Sequence, residues 1–186
     1  TKSGGHAQGT ICYTYSPVHT VENFVQIAKE QEAMGIDTLC IKDMAGILTP
    51  AAPTRLIAAL VKGVKVPVQV HSHMTSGMAV AMYLSAVKAG AGAIDTAVST
   101  MSGFSSQPPT ETLVAILEAE GYDTNLDHKL VAKANAHFKS LKKTREPSTG
   151  LGESVDADVL EHHIPGGMIS NLRSQLQQQG ALDRLP

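Results

Sequence analysis

Strand-like and helix-like patterns alternate through the first hundred residues at a nearly constant interval, and that interval limits what the chain can fold into. Runs rich in β-formers occur at Thr10 to Tyr15, Thr38 to Lys42, Val68 to His73 and Ala93 to Val98, spaced by 25 to 30 residues. Each is followed by an apolar pattern of helical period. The first helix is expected to take Thr20 as its N-cap, to carry Val21, Phe24, Val25, Ala28 and Met34 toward a core, and to stop at Gly35. Thr49-Pro50 opens a second that ends at Gly63, and a third runs from about Gly77 to Ala89 before Gly90. The fourth is expected from Glu111 to Glu120. Strands separated by helices at this spacing need crossover connections, so they pair in parallel and are covered by helices.

Two arrangements satisfy that rule, an open doubly wound sheet and a (β/α)₈ barrel. A dinucleotide-binding open sheet would show a glycine-rich turn after its first strand, and Tyr13-Thr14-Tyr15-Ser16-Pro17 is not one. The polar residues gather at the C-terminal ends of successive strands, where barrel enzymes build their active sites. A whole barrel takes roughly 250 residues, and four βα units are visible in 186. The expected fold class is therefore α/β, a TIM-type (β/α)₈ barrel of which the second half is present, over residues 1–122. A mainly helical C-terminal extension follows over 123–186. The extension opens with a lysine-rich amphipathic helix from about Asp127 to Lys143, with Leu130, Ala134, Phe138 and Leu141 on one side. Beyond it lie a loop from Glu146 to Asp156, a short run from Asp158 to Ile164, a turn at Pro165-Gly166-Gly167 and a polar helix from about Asn171 to Gln179.

Composition excludes some partners. With 17% charged residues and a formal net charge of −2, the chain lacks a nucleic-acid footprint, and the lysines of the amphipathic helix read as a solvated face. No apolar run reaches the roughly 18 to 20 residues that span a bilayer, and residues 1–10 have no signal-peptide core. A cytoplasmic location is the expectation. Cys12 and Cys40 both fall in apolar strand-like runs, where a small buried hydrophobe is the expected role.

The chemistry concentrates at two strand ends. In an extended strand, His71 and His73 point the same way, roughly 7 Å apart, and can share one metal ion if a third group faces them. Lys42 lies one repeat unit upstream, at the same height on the adjacent strand. Its ammonium would repel a cation, but the carbamate formed when the amine captures CO₂ is anionic and offers an oxygen. Asp43, the next residue, should point to the opposite face and make a hydrogen bond or ion pair.

The strings CIKDMAGILTP, VQVHSHMTSG, AIDTAVSTMSGFSSQPPTETLVAIL, GYDTNLD and HHIPGGMISNL resemble the carboxyltransferase domain of biotin-dependent enzymes. The members it most resembles are the oxaloacetate decarboxylase alpha subunit, the transcarboxylase 5S subunit and pyruvate carboxylase; the opening GTICYTYSPVHT favours the first. The resemblance implies a carbamylated Lys42, the catalytic residue, binding a divalent metal together with His71 and His73. Zn²⁺ is the first expectation, with Mn²⁺ or Co²⁺ as alternatives. It further implies biotin on a separate carrier domain, a 2-keto acid substrate such as oxaloacetate or pyruvate, a homo-oligomer, and membrane decarboxylase subunits as possible partners of the parent enzyme. The family's fourth ligand, an aspartate in an RDAHQS-like string, has no counterpart here. Two other readings remain open: a catalytically inert half-barrel fragment, and a metal-dependent C–C lyase of the hydroxymethylglutaryl-CoA lyase type.

Overall fold

The computed structural model describes residues 3–144, 155–164 and 166–181. Four strands form one parallel sheet: β1 (Gln8–Cys12), β2 (Thr38–Asp43), β3 (Val68–Ser72) and β4 (Ala93–Ile94). Their spatial order is their chain order, β1-β2-β3-β4, with no reversal. Helices α1 (Val21–Ala33), α2 (Leu56–Gly63) and α3 (Ala79–Lys88) make the crossovers, and α4 (Thr110–Ala119), α5 (His128–Thr144), α6 (Val159–His162) and α7 (Gly166–Gln178) follow. The chain divides into two compact units. The first holds the sheet with α1 to α3; the second is built from Ala45–Ile47, His73–Gly77 and the chain from Thr96 onward.

In the first unit the alternation of side chains along each strand produces two unlike faces. Ile11, Leu39, Ile41, Val68 and Val70 are buried, as are Phe24 and Ala28 of α1, Leu56, Ile57 and Leu60 of α2, and Met82, Tyr83 and Ala86 of α3. Removing these side chains from water is the main stabilising term, at roughly 1.5–3 kcal/mol for each large one. Helix α1 begins as its sequence dictates: the Thr20 hydroxyl accepts the Asn23 N–H at 3.3 Å, and Glu22 places negative charge in the first turn. Both α1 and α3 stop before a glycine of positive φ, Gly35 at 87° and Gly90 at 99°.

Gly63 ends α2 differently. It is the last helical residue, followed by an extended Val64, and a Cβ there would come 2.9 Å from Val25 Cγ1. Its role is to let α2 approach α1. The second helix also starts later than Thr49-Pro50 suggests, because Ala52–Thr54 forms a 3-10 turn first. Met34, expected in the core, is 81% exposed: it is the C-cap of α1, at the turn that leads into β2. Cys12 is exposed while Cys40 is buried, so the buried-hydrophobe role holds for Cys40 alone.

The fourth strand is shorter than its β-rich run. Strand β4 ends at Ile94, with one further bond from the Asp95 N–H to Val70 O at 3.1 Å; in the second unit the Ala97 N–H donates to Pro108 O at 3.0 Å, and the Thr110 N–H donates to Ala97 O at 2.8 Å. The backbone groups of 97 are thus satisfied by residues 108–110 instead of by a longer sheet. Helix α5 is capped by Asp127, whose Oδ1 accepts the N–H groups of Lys129 and Leu130. Its expected apolar stripe is rotated: Leu130, Phe138 and Leu141 are exposed, whereas Val131, Ala134 and Asn135 are partly buried. One reason is polar. Asn135 Oδ1 accepts the Thr100 N–H at 2.8 Å and turns that face of the helix inward.

Helix α7 begins at Gly166, so two glycines of the expected turn open a helix. Pro165, and the loop from Glu146 except for its last two residues, lie outside the described residues. No helix among the described residues is long and apolar enough to cross a membrane.

On the helix side of the sheet the strand ends are tied by buried polar groups. Asp43, fully buried, accepts the Leu48 N–H at 2.7 Å and the Ser72 hydroxyl at 3.0 Å. The Ser72 N–H donates to the Tyr83 hydroxyl at 2.7 Å. Burial pushes the Tyr83 phenol far above its ordinary pKa, so it stays protonated and available to this network. Tyr83→Phe removes the oxygen that the Ser72 N–H uses; it should cost about 1–3 kcal/mol of stability in a urea titration.

Candidate functional site

The other face of the sheet carries the functional groups. Strands in parallel register present partnered residues on the same side, and two partnerships form a row: Cys12 pairs with Lys42, and Lys42 pairs with His71. The β3–β4 ladder ends at Val70–Ile94, and one residue further on Asp95 Oδ2 lies 2.7 Å from His71 Nδ1. One layer below, Gln69 donates through Nε2 to Asp95 Oδ1 at 2.6 Å, and Gln8 donates through Nε2 to Gln69 Oε1 at 2.9 Å. Lys42 and His71 are both partly exposed, in contrast to Leu39, Ile41, Val68 and Val70 on the covered face.

Of the three residues singled out from the sequence, Lys42 and His71 are brought together by the ladder. Strand β3 ends at Ser72, so His73 stands past the ladder, in the second unit. There the chain turns tightly. The Met74 N–H donates to Ser106 O at 2.8 Å, and the Gly77 N–H donates to Met74 O at 2.9 Å. Gly46, with φ of 72°, packs so close that a Cβ would meet the His73 carbonyl oxygen at 2.7 Å. Asp43 points away from the row, as alternation requires. Asp95 and Gln69 escaped the sequence reading. The signal for Asp95 was available, a carboxylate closing the AID run at the same height as Lys42 and His71, but Gln69 looked like an ordinary solvent-facing strand residue.

The donor set suits a divalent ion on one condition. Among the described residues no cluster of three His, Cys, Asp or Glu side chains is arranged to hold one. A cation at this row therefore depends on Lys42 becoming an anion, and its neighbour supplies an imidazole whose Nδ1 is engaged by Asp95. A ligating histidine is commonly anchored in this way, by a carboxylate on the ring nitrogen that does not meet the metal, so the residues fit the ion. Elsewhere in the first unit, an open cleft of about 410 Å³ is lined by Tyr13, His19, Phe24 and Arg55 among others; neither Lys42 nor His71 reaches it.

The two thiols on this face differ sharply. Burial, together with the charge of Asp95, pushes the Cys40 thiol up to about 11, against a smaller opposing effect of Lys42. Iodoacetamide at neutral pH should therefore label Cys12 and leave Cys40 unmodified until the protein is unfolded, as read by peptide mass spectrometry. In the turn that carries His73, Gly46→Ala should destabilise by at least ~1–2 kcal/mol, the cost of positive φ alone, and lower the melting temperature.

Comparison with known proteins places relatives along almost the whole chain. The HMGL-like family profile matches residues 10–137, and a conserved carboxylase domain matches residues 159–186. A pyruvate carboxylase subunit of Methanocaldococcus jannaschii is 47% identical over 184 residues, covering 98% of this chain and 32% of the relative. The methylmalonyl-CoA carboxyltransferase 5S subunit of Propionibacterium freudenreichii is 42% identical over 189 residues, covering 99% of this chain and 37% of the relative. Among solved structures, the carboxyl transferase domain of Rhizobium etli pyruvate carboxylase with 3-hydroxypyruvate superposes with a TM-score of 0.93 at 30% identity, over 98% of this chain and 32% of that one. The chain thus spans about a third of the length of these relatives.

Proposed function

The chain belongs to the HMGL-like family, and on that premise we propose that it carries part of the active site of a biotin-dependent carboxyltransferase. The relatives are carboxylases and carboxyltransferases, in line with the motif strings. The reaction we assign is carboxyl transfer between a 2-keto acid, oxaloacetate or pyruvate, and biotin borne on a separate carrier domain. Within it, the decarboxylation of oxaloacetate is the direction favoured by the opening GTICYTYSPVHT. The observation that carries this reading is the register of Lys42 with His71, an amine and an imidazole side by side on the polar face near the C-terminal ends of adjacent parallel strands.

Sheet order supports the larger architecture. Four parallel strands in chain order, with no switch point, suit a segment of a (β/α)₈ barrel better than a doubly wound sheet. On this reading the polar face is the barrel interior, and residues 123–186 form the extension.

The residues that would hold a divalent ion are Lys42 as its carbamate, His71 and His73, the last on the strength of the motif alone. Zn²⁺ is the ion we assign, with Mn²⁺ or Co²⁺ as alternatives. Bound there, the ion supplies an electrophile for the keto oxygen of the substrate. The chain's own contributions are separate. Once its ammonium has given up a proton, the Lys42 amine adds CO₂ and releases a second proton to solvent, so a repelling cation becomes an anionic carbamate donor. Asp43, Ser72 and Tyr83 hold the ends of β2 and β3 from behind, so the row does not give way as charge develops in front of it.

Further parts of this reading are a homo-oligomeric assembly, a cytoplasmic location and, for the whole enzyme, membrane decarboxylase subunits as partners. A catalytically inert fragment and a C–C lyase of the hydroxymethylglutaryl-CoA lyase type are the alternative readings.

Metal analysis tests the site. The purified protein should bind about one Zn²⁺ per chain, and in bicarbonate Lys42 should carry the added mass of one CO₂. The His71→Ala, His73→Ala double variant should lose the ion, and retention of it would sink this reading. Pyruvate release from oxaloacetate in the presence of a biotinylated carrier, abolished by chelator, would separate an active chain from an inert fragment.

A further inference from the structure

We propose that Asp95 is a positioning residue that sets the tautomer of His71, and that Gln69 and Gln8 hold Asp95 in place. The inference deepens the reading of Lys42 and His71 as a metal-binding pair and rests on it for its purpose, though not for its geometry.

Asp95 is pinned before its side chain is considered, since its N–H donates to Val70 O at 3.1 Å. The main chain of residue 95 is therefore held against the strand residue that precedes His71. Each carboxylate oxygen has its own partner: Oδ2 lies 2.7 Å from His71 Nδ1, and Oδ1 accepts from Gln69 Nε2 at 2.6 Å. Gln69 in turn has no choice of orientation. Its Nε2 faces an acceptor, so its Oε1 faces Gln8, whose Nε2 donates to it at 2.9 Å and also lies 3.3 Å from Thr38 Oγ1. The polarity of the chain runs Gln8 to Gln69 to Asp95 without ambiguity, because reversing Gln69 would set its oxygen against the carboxylate and its nitrogen against that of Gln8, and reversing Gln8 would set two amide oxygens face to face.

A carboxylate only accepts, so the remaining partner must donate: His71 Nδ1 carries the ring proton, and the lone pair is left on Nε2. A neutral imidazole coordinates a metal through its unprotonated nitrogen. The network thus determines which atom of His71 is offered to the row that contains Lys42. Asp95 is also excluded as the missing fourth ligand, since it sits on the Nδ1 edge of the ring, on the side away from the coordinating nitrogen. Three strands contribute to this arrangement, Gln8 from β1 and Gln69 and His71 from β3, with Asp95 directly after β4. It forms only when the sheet is complete.

The test reads the tautomer directly. In the metal-free full chain in alkaline buffer, long-range ¹H–¹⁵N correlation spectra, with His71 assigned by its loss in His71→Gln, should show the Nδ1–H form. Asp95→Ala should move the ring toward the Nε2–H form and weaken Zn²⁺ binding by about 10- to 100-fold with the circular dichroism unchanged. Gln69→Leu keeps the carboxylate and should keep the Nδ1–H form. A wild-type ring in the Nε2–H form, or an Asp95→Ala ring with its tautomer unaltered, overturns the proposal. If Asp95→Ala does not fold, the wild-type spectrum alone decides. Wild-type protein that shows the Nδ1–H form but binds no zinc would discard the metal reading and leave the assignment of Asp95 standing.

Discussion

The pairing of Lys42 with His71 across the β2–β3 ladder is the constraint on which the rest depends. Because side chains alternate along a strand, a slip of one residue would carry Lys42 into the helical layer and bring Asp43 out in its place. The register is secured on the covered side. Leu39 and Ile41 are fully buried, as is Asp43, which accepts the Ser72 hydroxyl across the same two strands. Exchanging those positions with Cys40 and Lys42 would bury an ammonium in the covered layer and move two large aliphatic side chains onto the polar face. The apolar packing of one face thereby sets the chemistry of the other.

Strands of a parallel sheet are usually covered on both sides and read as nearly continuous apolar runs. Here one face carries Gln8, Thr10, Lys42, Gln69 and His71, and Gln8, Gln69 and His71 are linked through one another and Asp95 instead of through a hydrophobic layer. A linked polar network of this kind is costly unless every member is satisfied, and satisfied networks specify single conformations. The hydrogen bonds from Gln8 through Gln69 and Asp95 to His71 meet that condition with little freedom in amide or ring orientation. Such a face suits a reaction in which a cation, an anionic donor and a charged substrate have to coexist.

Family membership and geometry bear on different parts of the functional reading. The comparisons place the chain in the HMGL-like family, with relatives about three times its length, whereas the sheet shows how two of the expected groups come to stand together. Neither depends on the other. The ladder would place an amine beside an imidazole whatever the family, and the relatives would remain relatives whatever the fate of Lys42.

Local signals in the chain determined a good deal: the βαβ alternation, the cap at Thr20, the glycine stops at 35 and 90, and the side of the sheet taken by Lys42, Asp43 and His71. All are set by interactions within a few residues, or by a period of two or 3.6 that is written along the chain. Where the reading failed, the deciding partner was remote. The inward face of α5 was chosen by a hydrogen bond from Thr100 to Asn135, on a segment 35 residues away. Asp95 belongs to the same class. Its carboxylate acquires a role only when β1, β3 and the end of β4, far apart in sequence, have been folded side by side, because hydrogen bonds of 2.6 to 2.9 Å demand a placement that no one-dimensional pattern records.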